Sequence, residues 1–190
     1  VMAGMYAVYH GPKGLRYIAN KVHNAACSLD LTLQKLGYTQ QNSSYFDTLQ
    51  IKANAHKVRD IAEIKGVNFY YPDAETVTIS LNETTTLSDL NTIILIFAEL
   101  AGKTADKLTS IAEANNILSS VIRTTEFLEN EVFNTYHSET DLMRYIKSLE
   151  RKDLSLNHSM ISLGSCTMKL NATAEMIPIT WPSFNSIHPF

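Results

Sequence analysis

Apolar residues recur with a helical period near the start of the chain. Between residues 15 and 36 the positions on one face are Leu15, Ile18, Ala19, Val22, Ala26, Leu29, Leu33 and Leu36. This spacing is typical of an amphipathic helix with one buried face. Gly37 follows directly, and glycine commonly ends a helix. The pattern therefore predicts a helix over residues 15–36.

Two more helices and three strands are predicted before residue 102. Residues 46–51 and 67–71 are predicted to be short strands, and the polar stretch 38–45 indicates a loop. Alternation of Val77, Ile79 and Leu81 with hydroxyl residues predicts a half-buried strand. The second helix has Asn54 as its N-cap, Val58, Ile61 and Ala62 on its core face, and Gly66 as its end. The third helix ends at Gly102, and its apolar core stripe is Leu90, Ile93, Ile94, Phe97 and Leu100.

These elements predict an α/β fold in three regions. Residues 1–102 form an α-β-α-β-β-α two-layer unit with its sheet covered on one face. Residues 103–134 form a connector, with a weak helical signal only at 111–122. Residues 135–190 begin a second unit, in which Ser138 caps a helix. The predicted buried face of this helix consists of Leu142, Tyr145, Ile146 and Leu149. A short helix from Asn171 to Met176 and an irregular, proline-containing tail are predicted to follow.

Composition and charge exclude several classes of protein. The net charge of −3 and pI of about 6.1 give no basic surface for nucleic acid. The longest apolar run, residues 93–98, is too short to span a membrane. Cys27 and Cys166 are far apart, which fits a reducing compartment rather than a disulfide framework. The histidines at 137, 158 and 188 lack ligand spacing, so no metal site is expected. Apolar residues at both ends suggest a segment of a larger protein.

The run from Ser159 to Asn171 carries the most specific chemistry. It places small residues and hydrogen-bond donors together: Gly164, Ser165, Cys166, Thr167 and Lys169. Small residues let a backbone approach a ligand closely, so this is a candidate ligand-facing loop. The alternative is an ordinary strand-to-helix turn. A thiol enzyme built on Cys166 is a third possibility, although no surrounding His or Asn specifies a nucleophile.

The sequence of this run resembles that of a known family. Together with Tyr136–Thr140 and Asn185–Phe190, it resembles the P-protein of the glycine cleavage system. The resemblance spans the whole chain. The resemblance is weak and unspecific over the first 100 residues. It is much stronger from Arg123 onward, as in Arg123–Leu128 and Val132–Asn134.

The resemblance implies two halves, each similar to a fold-type I pyridoxal phosphate enzyme. Residues 1–102 would be the small C-terminal domain of the first half, and residues 135–190 the start of the catalytic half. Implied partners are glycine, the lipoylated H-protein and the other half of the same protein, with a homodimer as the assembly. The family's Schiff-base lysine, its aspartate and its phosphate loop match nothing here, so this segment alone should be inactive. The implied location is the cytoplasm in bacteria or the mitochondrial matrix in eukaryotes.

The resemblance also implies site residues. Ser165, Cys166 and Thr167 would line the glycine and cofactor site. His188 would line it too, or be a packed turn histidine. Arg123 would contact substrate, cofactor or the other half, or form a structural salt bridge between the halves.

Some residues depart from the family pattern or fall outside its catalytic role. Lys169 is not the Schiff-base lysine and is expected at the surface or beside a carboxylate. Ser162 stands where the family has Pro, and Glu129–Glu131 replaces a segment that usually carries His-Pro. A competing hypothesis from another class is a stand-alone α/β interaction module that binds a partner at its threonine-rich strand edge.

Overall fold

A computed structural model of the chain describes residues 1–113, 117–154, 158 and 172–187. The chain divides into two compact units, Val1–Leu142 and Met143–Phe190. The helices are α1 Met2–Leu36, α2 Ala55–Ile64, α3 Leu87–Leu100, α4 Glu139–Glu150, α5 Thr173–Met176 and α6 Pro182–Asn185. The strands are β1 Thr39–Gln40, β2 Thr48–Lys52 and β3 Thr76–Ser80. Short 3₁₀ turns occur at Ser119–Val121, Glu131–Phe133 and Ile177–Thr180.

The mixture of helices and a small sheet agrees with an α/β class, but the predicted order α-β-α-β-β-α is wrong. The observed order is α-β-β-α-β-α. The predicted loop 38–45 contains β1, whose polar side chains give no strand signal. The predicted strand 67–71 forms a single antiparallel bridge, between Tyr70 and Thr78. Pro72 has no N–H and ends the pairing there, although Phe69 still packs against the core.

The three strands form an antiparallel sheet in the order β1-β2-β3. Leu49 pairs with Ile79, and Ile51 pairs with Val77. Because side chains alternate along a strand, these four lie on one face. All four are at most 2% exposed, and they join one hydrophobic core with residues of α1, α2 and α3. This confirms the predicted alternation of β3 and places the core between the sheet and the helices.

Helix α1 is longer than the sequence predicts and contains a break. It begins at Met2, and Gly11 within it has φ 60° and ψ −178°. That region is open essentially to glycine alone, and Pro12 beside it cannot donate a backbone hydrogen bond. Two further glycines and this Gly-Pro pair mask the helical pattern in the first 14 residues. The predicted end is confirmed, since Gly37 adopts a left-handed conformation with φ 100°.

Polar side chains fix the starts of the other helices in the first unit. The Asn54 side chain accepts from the backbone N–H of Lys57 at 3.0 Å, which confirms the predicted cap. Thr86 and Asp89 form a reciprocal capping box at the start of α3. The Oγ of Ser138 accepts from the N–H of Asp141 at 3.2 Å, which confirms the cap of α4.

The later segments are less buried than their patterns suggest. The weak helical signal at 111–122 yields only the 3₁₀ turn within its described part. No residue of α4 is fully buried, and Ile146 on its predicted core face is 47% exposed. In the second unit, Ala172 occupies the N-cap of α5. Asn171, the predicted cap, lies outside the described residues.

Candidate functional site

Most of the predicted site residues lie outside the described part of the chain. This applies to Ser165, Cys166, Thr167 and His188, and also to Lys169. The roles assigned to them stay predictions. Arg123 is described, so its surroundings can be compared with its predicted roles.

Arg123 is an exposed residue of the connector that stacks on an aromatic ring. Its Nη1 donates to the Oγ1 of Thr125 at 3.3 Å. Its guanidinium carbon lies 5.4 Å from the centre of the Phe127 ring, and that of Arg16 lies 5.5 Å from the same centre. Among the described residues, Arg123 forms no salt bridge. The structure therefore joins α1 to the connector through two arginines that share one phenyl ring.

A second junction between α1 and the connector lies at the helix break. The Nδ1 of His137 donates to the backbone carbonyl of Tyr9 at 2.7 Å. A Cβ on Gly11 would stand 2.6 Å from the carbonyl oxygen of Phe133 and 2.7 Å from Cε1 of His137. Glycine at this position thus allows the chain near residue 133 to approach the helix. Sequence reasoning missed this contact, and the Gly-Pro pair inside an apolar stretch was its only signal.

A buried polar cluster lies on α1 beneath the loop that precedes β2. Its members, His23, Cys27, Asp30 and Tyr45, are each at most 9% exposed. The Tyr45 hydroxyl donates to Oδ2 of Asp30 at 2.7 Å. His23 contacts the Phe46 carbonyl through Nδ1 at 2.9 Å, so its Nδ1 is the donor. The other ring nitrogen is 3.5 Å from the sulfur of Cys27 and is placed to accept from the thiol.

The cluster is closed off rather than open to a substrate. The Phe46 ring stacks parallel to His23 with their centres 5.9 Å apart. Burial, aided by the hydrogen bond to Asp30, raises the pKa of Tyr45 far above its ordinary value. The hydroxyl is therefore a donor at neutral pH. The i, i+4 pair of His23 and Cys27 on one helix face was the signal for this cluster, and its arrangement serves to fix the loop on α1.

Two clefts, one at the end of α1 and one at the end of α3, share Lys103, and that lysine is already engaged in a hydrogen bond. One has a volume of about 370 Å³ and includes Lys35, Lys103 and Lys107. The other, of about 290 Å³, shares Lys103. The Nζ of Lys103 donates to the carbonyl of Leu36 at 2.7 Å, so it caps the helix end. Carbonyls at a helix C-terminus disfavour an anion beside them.

The described residues contain neither a metal-binding group of side chains nor a membrane-spanning helix. Within them, no group of three or more His, Cys, Asp or Glu side chains is placed to hold a metal ion. None of the described helices combines the length and the apolar character needed to cross a membrane.

Comparison with known proteins gives consistent matches along the whole chain. The family profile described as "Glycine cleavage system P-protein" matches residues 1–97. A glycine dehydrogenase (decarboxylating) of Flavobacterium johnsoniae is 63% identical over 190 residues, which cover all of this chain and 20% of that protein. The protein of that name from Bacteroides thetaiotaomicron is 50% identical over 192 residues, 99% of this chain and 20% of the relative.

A plant protein extends the match. The mitochondrial glycine dehydrogenase (decarboxylating) 1 of Arabidopsis thaliana is 50% identical over 195 residues, covering all of this chain and 18% of the relative. The chain thus spans about one fifth of the length of these relatives. The profile matches the region in which the motif resemblance is weakest, and the relatives extend the match through the motif-rich remainder. The chain belongs to the glycine cleavage system P-protein family.

Proposed function

We propose that this chain is part of a glycine decarboxylase that depends on pyridoxal phosphate. The complete enzyme releases CO2 from glycine and transfers the aminomethyl group to the lipoyl arm of the H-protein. The observation that carries the proposal is the 63% identity over all 190 residues with a protein named glycine dehydrogenase (decarboxylating). Because the chain spans about a fifth of that relative, the activity is assigned to the longer protein.

The described residues do not themselves fit the cofactor. A pyridoxal phosphate site requires a lysine amine that can react and groups that neutralise a phosphate. Lys103, which both clefts share, already donates to the Leu36 carbonyl, and the end of α1 faces the same region. No step of the reaction is therefore assigned to these residues, and the 190-residue chain alone is proposed to be inactive.

The proposed division of labour follows the family resemblance. Residues 1–102 are the small domain of a first, fold-type I half, residues 103–134 the connector, and residues 135–190 the start of the catalytic half. Ser165, Cys166, Thr167 and His188 line the glycine and cofactor site. The small side chains in that loop support this proposal because a cofactor and the smallest amino acid must fit together there.

The described unit contributes a frame that holds the connector. His137 and the shared ring of Phe127 attach the connector to α1 at two places. Arg123 takes part in one of them, which supports a role in joining the connector to the first unit. Its contact with substrate remains a proposal for the complete enzyme.

The proposed partners and location follow from the family. They are glycine, the lipoylated H-protein and the remaining part of the same protein, which forms a homodimer. Relatives from bacteria suggest the cytoplasm, and the relative from Arabidopsis thaliana is named as mitochondrial, which suggests the matrix for a eukaryotic source.

The test is exchange of labelled bicarbonate into glycine by the full-length protein with lipoylated H-protein. We expect exchange that requires both the H-protein and pyridoxal phosphate. The matched control is the 190-residue chain, which should show no exchange and should lose added cofactor on gel filtration. Absence of exchange in a folded, cofactor-loaded full-length protein would refute the proposed activity. Exchange by the 190-residue chain would refute the assignment of catalysis to the missing part.

A further inference from the structure

We propose that Lys13, Arg16 and Arg123 form a binding site for an oxyanion, either a carboxylate or a phosphate group, around the ring of Phe127. The proposal does not depend on the decarboxylase activity. All four residues belong to the first compact unit.

The geometry brings two arginines from two segments to one phenyl ring. The guanidinium carbons of Arg16 and Arg123 lie 5.5 and 5.4 Å from the centre of the Phe127 ring. Lys13 precedes Arg16 by three positions on α1, and residues with that spacing share a helix face. All three cationic residues are exposed, while Phe127 is half-buried. The proposed oxyanion binds beside this ring, where both guanidinium groups lie.

These cations lack compensating charge within the described part of the chain. Neither arginine forms an ion pair with a described carboxylate, and Glu126 beside Phe127 pairs with neither. The only acidic residue of α1 is Asp30, which is buried and bonded to Tyr45. The whole chain carries a net charge of −3, so the cluster is not a sample of a generally basic surface. Like charges at helical spacing destabilise the helix unless an anion accompanies them.

Arg59 provides an internal comparison. Its guanidinium carbon lies 4.5 Å from the centre of the Tyr71 ring, so the cation–aromatic contact is the same. There, however, the charges of Asp60 and Glu63 also act on the same tyrosine. What distinguishes the Phe127 site is two guanidinium groups on one ring without a carboxylate.

The donors present favour an oxyanion over other ligands. A guanidinium offers paired N–H groups that match the two oxygens of a carboxylate or phosphate. The hydrogen bond from Arg123 to Thr125 holds one of these groups in place while leaving other donors available. Carboxylate and phosphate share this chemistry, and separate probes distinguish them.

The experiment titrates the 190-residue chain with succinate and, separately, with inorganic phosphate at constant ionic strength. Arginine Nε–H resonances are followed by NMR, and sodium chloride serves as the blank. We expect saturable shifts at Arg16 and Arg123 with one common dissociation constant, while Arg59 shows no saturation. Arg16→Gln or Arg123→Gln should weaken binding roughly two- to fivefold, as for exposed ion pairs. Arg59→Gln is the matched control and should leave affinity unchanged.

The outcomes separate the possibilities. Saturation with succinate alone identifies a carboxylate site, and saturation with phosphate alone identifies a phosphate site. Equal, unsaturated shifts at all three arginines would overturn the proposal, as would unchanged affinity in both Gln variants. If a Gln variant fails to fold, Arg16→Lys keeps the charge but loses the paired N–H groups, so it should weaken binding less than a Gln variant would. Loss of glycine–bicarbonate exchange in the full-length protein would leave this binding result unaffected.

Discussion

The imidazole of His137 donates to the carbonyl oxygen of Tyr9 over 2.7 Å, across 128 positions of sequence. The donor replaces part of the hydrogen-bond ladder that α1 loses at Gly11 and Pro12. The same contact brings residues 131–138 against the helix. The His137 side chain thus provides a donor for the Tyr9 carbonyl and holds the end of the connector against α1.

Gly11→Ala should destabilise the chain. The new Cβ would meet the Phe133 carbonyl at 2.6 Å, and alanine is strained at φ 60°. Such strain costs about 1–3 kcal/mol, measured as the free energy of unfolding in urea. Gly4→Ala is the control, since Gly4 is helical with nothing within 4 Å of its Cβ. That change should stabilise by about 0.5–1 kcal/mol. Equal effects of both would show that the break is not required.

His137→Ala should remove the bond to Tyr9 and lower the free energy of unfolding by about 0.5–1.5 kcal/mol. His137→Asn can place an amide N–H near the position of Nδ1 and should recover part of the loss. Hydrogen exchange in residues 2–10 is the local readout, which should quicken in the Ala variant. Unchanged exchange there would place the stabilising contact elsewhere.

Tyr45→Phe should leave the buried carboxylate of Asp30 without its donor at Oδ2, while Gln34 still donates to Oδ1. Loss of a partner by a buried polar group costs about 1–3 kcal/mol. Tyr17→Phe is the control because Tyr17 is 72% exposed. The measurement is urea unfolding at neutral pH. A similar small change in both variants would mean that the hydroxyl contributes little.

Stability should fall at alkaline pH through Tyr45. Its pKa is raised in the folded chain, chiefly by burial, so the folded state holds a proton that the unfolded state releases above its ordinary pKa of about 10. The contribution is fully present below about pH 10 and is lost progressively above it. Unfolding curves from pH 8 to pH 11 should show this decline, with a shallower slope in Tyr45→Phe. An unchanged slope would assign the decline to other groups.

Ser165→Ile in the full-length protein should abolish glycine–bicarbonate exchange with little loss of stability. A branched side chain would fill the space proposed for glycine and remove a donor, which alone costs roughly ten- to a hundredfold in rate. Ser165→Ala, the matched control, removes the donor but keeps the space and should lose less. Near-normal exchange in the Ile variant would remove this loop from the active site. Loss of exchange together with a large fall in melting temperature of the Ile variant would indicate a structural role for the loop.

Periodicity and caps predicted the elements whose signals are local. The face ending at Leu36, the cap at Asn54 and the alternation from Val77 to Leu81 are confirmed because each depends on near neighbours in sequence. The strand predicted at 67–71 was wrong because pairing needs a distant partner, and within that described stretch only Tyr70 forms a bridge, to Thr78.

The contacts of the connector could not be predicted from the sequence either, because each of them joins residues that are far apart in the chain. No pattern in residues 123–138 specifies that Phe127 meets Arg16 or that His137 meets Tyr9. The loop containing Ser165 could be proposed from its motif alone, since it resembles a family whose members match this chain throughout.

The break in α1 also sets an order of events during synthesis. The hydrophobic core extends from Val22 to Ala98, so it can form before the connector leaves the ribosome. Tyr9 and His137 are 128 positions apart, which corresponds to roughly 6–26 s at about 5–20 residues per second. During that interval the Tyr9 carbonyl must be hydrated. Helix α1 therefore matures in two steps during synthesis, and its opening turns reach their final state only when a much later histidine has been translated.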